Sequence, residues 1–341
     1  MTNATIVDPL SVKIVGSLED VKPDFRVQVF TIIQFAYGLP TYILIASFFV
    51  LMCFGKKYSN SFYRLVQLDL MVNFVCYTNT WFAVRLDKHP EAIPFLKALT
   101  YFFPTFLTWT RYFAYWFMHM QFVSAIVLSV HRMTSVIFHS TYEKMWNRFF
   151  LGFVILCIVY CYLCNSLIPG FISEVYIQNG TLMRSLYPGV IKIASDNNGF
   201  FAFAYFILLF VVGIWTSRMV TKKIQGLWRE EDYCSFLLSA ASLSSGSIGR
   251  KLSKIAVTYG FIYSGIMCWS VVGALNSNFN FFPDLVSKFS SYALPFVSDL
   301  MTLALPYILM IYDTNVQRDV WNKTFGSKAT SRVSSTFIIT N

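Results

Sequence analysis

The chain has 341 residues, of which 56% are hydrophobic, 18% aromatic and only 13% charged, with a formal net charge of +10 and a mean hydropathy of +0.54. Soluble domains carry roughly a quarter charged residues, so an ordinary soluble fold is excluded and a membrane protein is expected. The positive charges lie in loops between apolar runs, a pattern of membrane topology and anionic-lipid contact rather than of nucleic-acid binding.

The N-terminal stretch "MTNATIVDPLSVKIVGSLEDV" lacks the charged-then-apolar layout of a cleaved signal peptide, so the first span is expected to act as an uncleaved signal with the mature chain starting near Met1. Apolar runs then recur at 28–54, 62–84, 103–138, 149–172, 199–220, 255–275 and 289–312. Each is long enough for a helix across a hydrocarbon core of about 30 Å, which needs roughly 20 residues. The expected fold class is an all-α membrane protein, a seven-transmembrane helix bundle over 28–312, with an extracellular segment 1–27 and a cytoplasmic tail 313–341.

The sides follow from the Lys/Arg bias of the loops. Of the 27 positive residues, seventeen fall on one side, among them Lys56, Lys57, Arg64, Arg132, Lys144, Arg148, Arg250 and Arg318; the other ten include Lys13, Arg85, Lys88, Arg111 and Lys288. The richer set belongs in the cytoplasm, which puts the N-terminus outside. The sequons at Asn3 and Asn179 then fall outside as candidate glycosylation sites.

The second span is diluted by Gln67, Asp69, Asn73 and Asn79. An ionisable group within a span is costly and faces partners or water inside the bundle. Asn73 lies one turn beyond Asp69, and a second acid, Asp299, stands beside Ser298 half-way along the seventh span. Two readings stay open for Asp69, Asn73, Ser298 and Asp299: an internal Na⁺ or proton site that biases receptor states, or a hydrogen-bonded structural pair.

In the third span Tyr112, Tyr115, Trp116 and His119 recur at helical spacing on one stripe. Facing inward, the stripe is an aromatic wall for a small organic ligand; facing outward, it is an interfacial belt. Further along, "QFVSAIVLSVHRMTSVIF" puts His131 and Arg132 some 30 residues after the start of the span, near its inner end at about 1.5 Å per residue. There an Arg serves as a snorkelling anchor or as a latch at the cytoplasmic mouth.

Cys157, Cys161 and Cys164 form one face of the fourth span, where they act as small hydrophobes or as a thiol triad for metal; no external disulfide is expected. The segment "REEDYCSFLLSAASLSSGSIGRKLSK" and the tail "GSKATSRVSSTFIITN" are Ser/Thr-rich and read as flexible linkers or phosphate acceptors. After Tyr312, "DTNVQRDVW" fits a short interfacial helix with Val316 and Val320 dipping into lipid.

The stretches "YGLPTYILIASFFVLMCFGKKYSNSFYRLVQLDLMVNF", "LSVHRMTSVIFHSTYEKMW" and "LPYILMIYDTNVQRDVW" resemble the nematode serpentine receptor class gamma, a seven-helix chemoreceptor family, over about Tyr37 to Trp321. The most specific pieces are Ser61 to Leu65 and the run Arg132 to Ser135 with Tyr142, Glu143, Lys144 and Trp146; the related classes V, U and X share the layout. The resemblance implies a G-protein-coupled chemosensory receptor in the plasma membrane of a sensory cell, with a small-molecule ligand, a heterotrimeric G protein and membrane lipids as partners and no cofactor. By position, Asp69 and Arg132 match the intramembrane acid and the Asp-Arg-Tyr arginine of rhodopsin-like receptors, and Pro306 with Tyr312 loosely resembles their Asn-Pro-x-x-Tyr. His131 replaces the acid before that arginine, and Val271 stands where a kinking Pro is expected after Trp269.

Two other classes compete: a ligand-gated channel of inverted topology, which needs an internal N-terminus, and a transporter, which needs inverted repeats. An enzyme is not expected, because His89, His119, His131 and His139 have no metalloprotease spacing and neither a nucleophile elbow nor a phosphate-binding Gly-rich loop occurs. Retinal binding is disfavoured because Lys288 precedes the seventh span.

Overall fold

The computed structural model describes residues 12–17, 25–86, 89–138, 141–168, 175–178, 181–185, 188–230, 238–279 and 294–325. Its elements, in chain order, are β1 (Val12–Ser17), α1 (Phe25–Phe54), α2 (Ser61–Thr80), α3 (Ile93–Phe102), α4 (Phe106–Ile137), α5 (Tyr142–Ser166), β2 (Val175–Gln178), β3 (Thr181–Ser185), α6 (Pro188–Glu230), α7 (Leu238–Phe279), α8 (Leu294–Leu303), α9 (Leu305–Tyr312) and α10 (Thr314–Phe325). A π turn, Trp81–Arg85, extends α2.

Among the described residues five helices, α1 and α4 to α7, are long and apolar enough to cross a membrane on length and composition alone. The sixth span is the pair α8 and α9, bent by 43°. Pro306 stands at the start of α9, where it lacks an N–H and its ring crowds the carbonyl four residues back. The seventh span is α2, too polar for a composition test for a physical reason: twelve of its twenty residues are buried, Asp69, Asn73 and Asn79 among them, so its polar groups face protein instead of lipid. At the other extreme α5 buries only Trp146, Cys157, Cys161 and Asn165 along its 25 residues, and its lipid face is almost wholly apolar.

Burial follows helical periodicity. On α1 the buried positions are Gln34, Gly38, Thr41, Ile45, Phe48 and Met52; on α6, among the described side chains, they are Gly199, Ala202, Tyr205, Leu209, Val212 and Thr216. The central helix is α4, which touches α2, α5, α6 and α7. It is buried on most sides, with Leu107, Phe117, Met120, Phe122, Ala125 and Leu128 all in the core. Helices α6 and α7 approach closely at Gly199, where an added Cβ would lie 2.6 Å from the Ala274 methyl and 3.0 Å from the Ser270 carbonyl oxygen.

Three features differ from the hydropathy reading. A small antiparallel sheet of order β1-β3-β2 joins the N-terminal segment to the α5–α6 connection, pairing Val12 with Ser185 and Val175 with Arg184, and β2 touches α4. The serine-rich segment expected to be a loose linker is helical from Leu238 onward, because its Ala, Leu, Arg and Lys are good helix formers continuous with the span. Val316 on α10 is fully buried in the core, not in lipid. The reason is the Asp313 cap, whose Oδ1 accepts from the backbone N–H groups of Asn315 and Val316 at 2.9 and 3.2 Å and turns α10 back against the bundle. Asn3, Asn179, Lys288 and the tail from 326 lie outside the described residues.

Candidate ligand and signalling sites

At the end of the bundle where α1 begins, called here the N-terminal end, the π turn carries Arg85 inward. Arg85 is 3% exposed and bonds Asp299 of α8, itself 2% exposed. The other Asp299 oxygen accepts from the Tyr37 hydroxyl of α1 at 2.5 Å, and Arg85 donates to Thr80 Oγ1 at 3.3 Å. The guanidinium also lies over the Trp81 and Tyr77 rings, 4.9 and 5.2 Å from their centroids. Charge counting assigned Arg85 to an external loop; it is an internal cation. The sequence carried a signal for this, since an acid inside a span calls for a cation and Arg85 is the positive residue closest to the outer end of the second span.

In the middle of the bundle Asp69 accepts from the Ser124 hydroxyl of α4. Asn73 Oδ1 accepts from Gln121 Nε2 at 2.8 Å, and Gln121 also donates to Thr302 Oγ1 at 3.0 Å. Thr302 donates to the Ser298 carbonyl at 2.8 Å, and the Tyr263 hydroxyl of α7 donates to the Gln121 carbonyl at 3.0 Å. Thus the four intramembrane polar residues read from the sequence belong to neighbouring networks, and each carboxylate has its own partner: Ser124 for Asp69, Arg85 for Asp299. Gln121, which joins α2, α4, α7 and α8, escaped the sequence reading because a lone Gln in an apolar run gives no sign of which helix it meets.

Of the aromatic stripe of α4, Tyr112 faces α5 and His119 faces α6. The Tyr112 hydroxyl meets Ser166 Oγ at 2.8 Å; His119 is fully buried, its Nδ1 2.9 Å from the Tyr205 hydroxyl and its ring edge-on to Phe201. Trp116 packs half-buried against Phe117 and Phe113, and Tyr115 is half-buried beside it. Cys157 and Cys161 are buried in the core, and Cys161 touches the Met120 sulfur at 3.9 Å.

At the opposite, C-terminal end, Ser61 joins three helices. Its hydroxyl meets His131 Nε2 at 2.8 Å and donates to a Glu143 oxygen at 2.6 Å, while its backbone N–H donates to the other Glu143 oxygen at 2.8 Å. His131 is 2% exposed, walled by Phe62, Tyr142 and Trp146. Arg132 lies over the Phe62 ring at 5.4 Å. The Tyr63 hydroxyl donates to Asp313 at 2.8 Å, and the Tyr312 hydroxyl lies 3.2 Å from Thr258 Oγ1, tying α9 to α7. Beside them Asp319 accepts from the Tyr58 hydroxyl and pairs with Lys57. Partial burial raises the Asp319 carboxyl, but the Lys57 and Tyr58 bonds outweigh it and leave the group below the usual carboxylate range; burial and then Asp319 push the Tyr58 phenol up.

The family model described as "Srg family chemoreceptor" matches residues 31–320. The chain belongs to that family. Among curated relatives of this Srg chemoreceptor, serpentine receptor class gamma-47 of Caenorhabditis elegans is 34% identical over 84% of the chain and 89% of the relative. Serpentine receptor class gamma-53 of the same organism is 25% identical over 86% and 91%. Squid rhodopsin superposes with a TM-score of 0.58 at 11% identity, covering 95% of this chain and 91% of its own, a likeness of fold alone. The Srg chemoreceptor is therefore a multi-pass membrane receptor with the rhodopsin-like seven-helix fold. The two sequence pieces that resembled the family most, Ser61 to Leu65 and Arg132 to Ser135 with Tyr142 to Trp146, meet around His131; Arg64 reaches Asn147 at 3.3 Å and Trp146 donates to Thr134 at 2.8 Å.

Proposed function

We propose that this Srg chemoreceptor is a G-protein-coupled chemosensory receptor of the sensory-cell plasma membrane. It takes a small organic ligand beside Tyr112, Tyr115, Trp116 and His119 and signals through Arg132, His131, Pro306 and Tyr312. The observation that carries the reading is that one helix, α4, holds all three levels of the bundle. His119 bonds α6, Gln121 and Ser124 bond α2 and α8, and His131 bonds α2 through Ser61. A ligand that moves α4 relative to α6 therefore acts on the same rigid element as the inner latch, which gives the two sites differential contacts in two states. Asp69 and Asn73, bonded to Ser124 and Gln121, with Ser298 and Asp299 on the neighbouring helix, are the residues through which a bound Na⁺ or proton would bias those states.

The orientation that serves this function has the N-terminus outside, with Asn3 and Asn179 exposed for glycosylation. Loop charge supports it, and burial of Arg85 removes one positive residue from the outer side. Epitope tags at each terminus test it: an N-terminal tag stained on intact cells, with a C-terminal tag stained only after permeabilisation, is expected. In a G-protein activation assay Arg132→Ala is then expected to lose signalling at normal surface expression. The reverse staining pattern places Arg132 outside and overturns the reading.

A further inference from the structure

Three buried polar atoms at the junction of α4, α5 and α6 have no hydrogen-bond partner: His119 Nε2, Asn165 Nδ2 and Asn198 Oδ1. His119 and Asn165 are both 0% exposed. A buried polar atom left unpaired costs about 1–3 kcal/mol, and three in one region call for an occupant. Their placement converges. The Tyr205 hydroxyl that meets His119 also lies 3.8 Å from the sulfur of Cys164, the neighbour of Asn165. Asn197, which precedes Asn198, donates to Asn165 Oδ1 at 3.4 Å and to the Cys164 carbonyl at 3.3 Å. Asn198 stands on the same helical face of α6 as Ala202 and Tyr205, the face that packs on α4.

The polarity of each atom follows from its neighbours. A phenol is the better donor and an imidazole nitrogen the better acceptor, so the Tyr205 hydroxyl, 2.9 Å away, donates to His119 Nδ1 and leaves the ring proton on Nε2. The Tyr160 hydroxyl, 3.0 Å from that of Tyr205, continues the chain. Because Asn197 holds Asn165 Oδ1, the Asn165 amide group points its N–H donors away from α6's Asn197. Two donors and one acceptor thus lie buried and unpaired on the three helices that meet here. None of the side chains bonded there, His119, Tyr160, Cys164, Asn165, Asn197 or Tyr205, is a Lys, Arg, Asp or Glu. Around the polar atoms the walls are apolar and aromatic: Phe201 stands edge-on to His119, and Trp116 lies one turn outward on α4.

We propose that this junction is a hydrogen-bonding subsite for an uncharged oxygen function, a hydroxyl or carbonyl, carried by a small apolar molecule. The two donors hold the oxygen lone pairs, Asn198 Oδ1 takes the proton of a hydroxyl, and the aromatic stripe from Trp116 to Tyr112 receives the apolar remainder. A carboxylate is rejected, because it would be buried without a cation. The inference rests on the ligand pocket beside that stripe and adds the chemical class that the pocket selects.

The test is a thermal-unfolding titration of the purified full-length receptor in detergent micelles with four six-carbon probes: 1-hexanol, 2-hexanone, n-hexane and hexanoate. The alcohol and the ketone are expected to raise Tm saturably, with n-hexane and hexanoate ineffective. His119→Phe and Asn165→Leu are expected to weaken the apparent affinity for 1-hexanol about tenfold, the loss of one well-placed hydrogen bond. Tyr205→Phe keeps the ring volume but frees the His119 tautomer, so it reads the same loss in a variant that packs as the parent does; Ser129→Ala, whose hydroxyl bonds only its own helix at the Ala125 carbonyl, leaves the titration unchanged. Equal stabilisation by n-hexane and 1-hexanol, insensitive to these substitutions, overturns the subsite, leaves the apolar pocket standing and assigns the three polar atoms to trapped water. Stabilisation by none of the four overturns the subsite and the pocket together.

Discussion

Each end of the bundle holds an ion pair that ties the second span or the turn before it to the last part of the chain, and the two pairs differ in burial. Arg85 and Asp299 are 3% and 2% exposed, whereas Lys57 and Asp319 keep 36% and 22% of their side-chain surface. Coulomb attraction alone would make them alike. Solvent makes them different, because a pair already in water neither loses hydration nor gains much from association, while a buried pair has given up its hydration and depends wholly on its partners. The N-terminal end is thus held by an arrangement that is stable only when complete, and the C-terminal end by several separately replaceable contacts. The asymmetry would serve the proposed receptor, with its ligand taken at the N-terminal end and its opening at the C-terminal end.

The largest effect is expected at the buried pair. Arg85→Met leaves Asp299 without its cation and is expected to cost about 3–5 kcal/mol, read as a drop in Tm of the purified receptor and in surface expression. The double variant Arg85→Met with Asp299→Leu removes both charges and is expected to recover most of that loss. A double variant as unstable as the single would show that the position needs charge for a reason other than pairing, and would break the contrast between the ends.

At the inner end the corresponding joint is Ser61. Ser61→Ala strips His131 Nε2 of its partner and removes one of two bonds to Glu143, while the backbone bond persists. The expected cost is about 1–3 kcal/mol, with raised ligand-independent signalling because α2, α4 and α5 are released from one another. Unchanged basal signalling with a lowered Tm would make the joint purely structural. Asp313→Ala is expected to be milder, about 0.5–2 kcal/mol, through the lost cap of α10 and the lost Tyr63 bond. Faster amide hydrogen exchange confined to α10 would identify the cap as the cause.

What the sequence revealed follows the same division. Span number, the burial of Tyr112 and His119 on α4 and the helix after Tyr312 were legible because hydrophobic periodicity reports burial directly. Asp69 and Asp299 were legible as interior groups because charge inside a span is rare. Their partners were not: Arg85 enters the bundle only through a five-residue π turn, which has no residue signature, and Ser61 meets Glu143 across 82 positions of chain. The unpaired atoms of His119, Asn165 and Asn198 come from three helices, so only the folded arrangement puts them together.

The smallest expected effect separates the two pairs by pH. The Lys57 and Tyr58 bonds depress the Asp319 carboxyl below its unfolded value. A depressed carboxyl contributes stability above its unfolded pKa, about 3.9, and loses it as pH falls through the lower folded value. Between pH 7 and pH 5 the contribution is therefore complete, and it fades only below about pH 4. Because the pair is substantially exposed, its size is no more than a few tenths of a kcal/mol, and salt screens it further. Asp319→Asn is expected to lower Tm slightly at pH 6 in low salt, with the difference shrinking as pH falls below about 4 and vanishing in molar salt. A difference that survives both conditions would mean that the Tyr58 hydrogen bond, which an amide oxygen also accepts less strongly, outweighs the ion pair and that the inner end is joined by neutral contacts throughout.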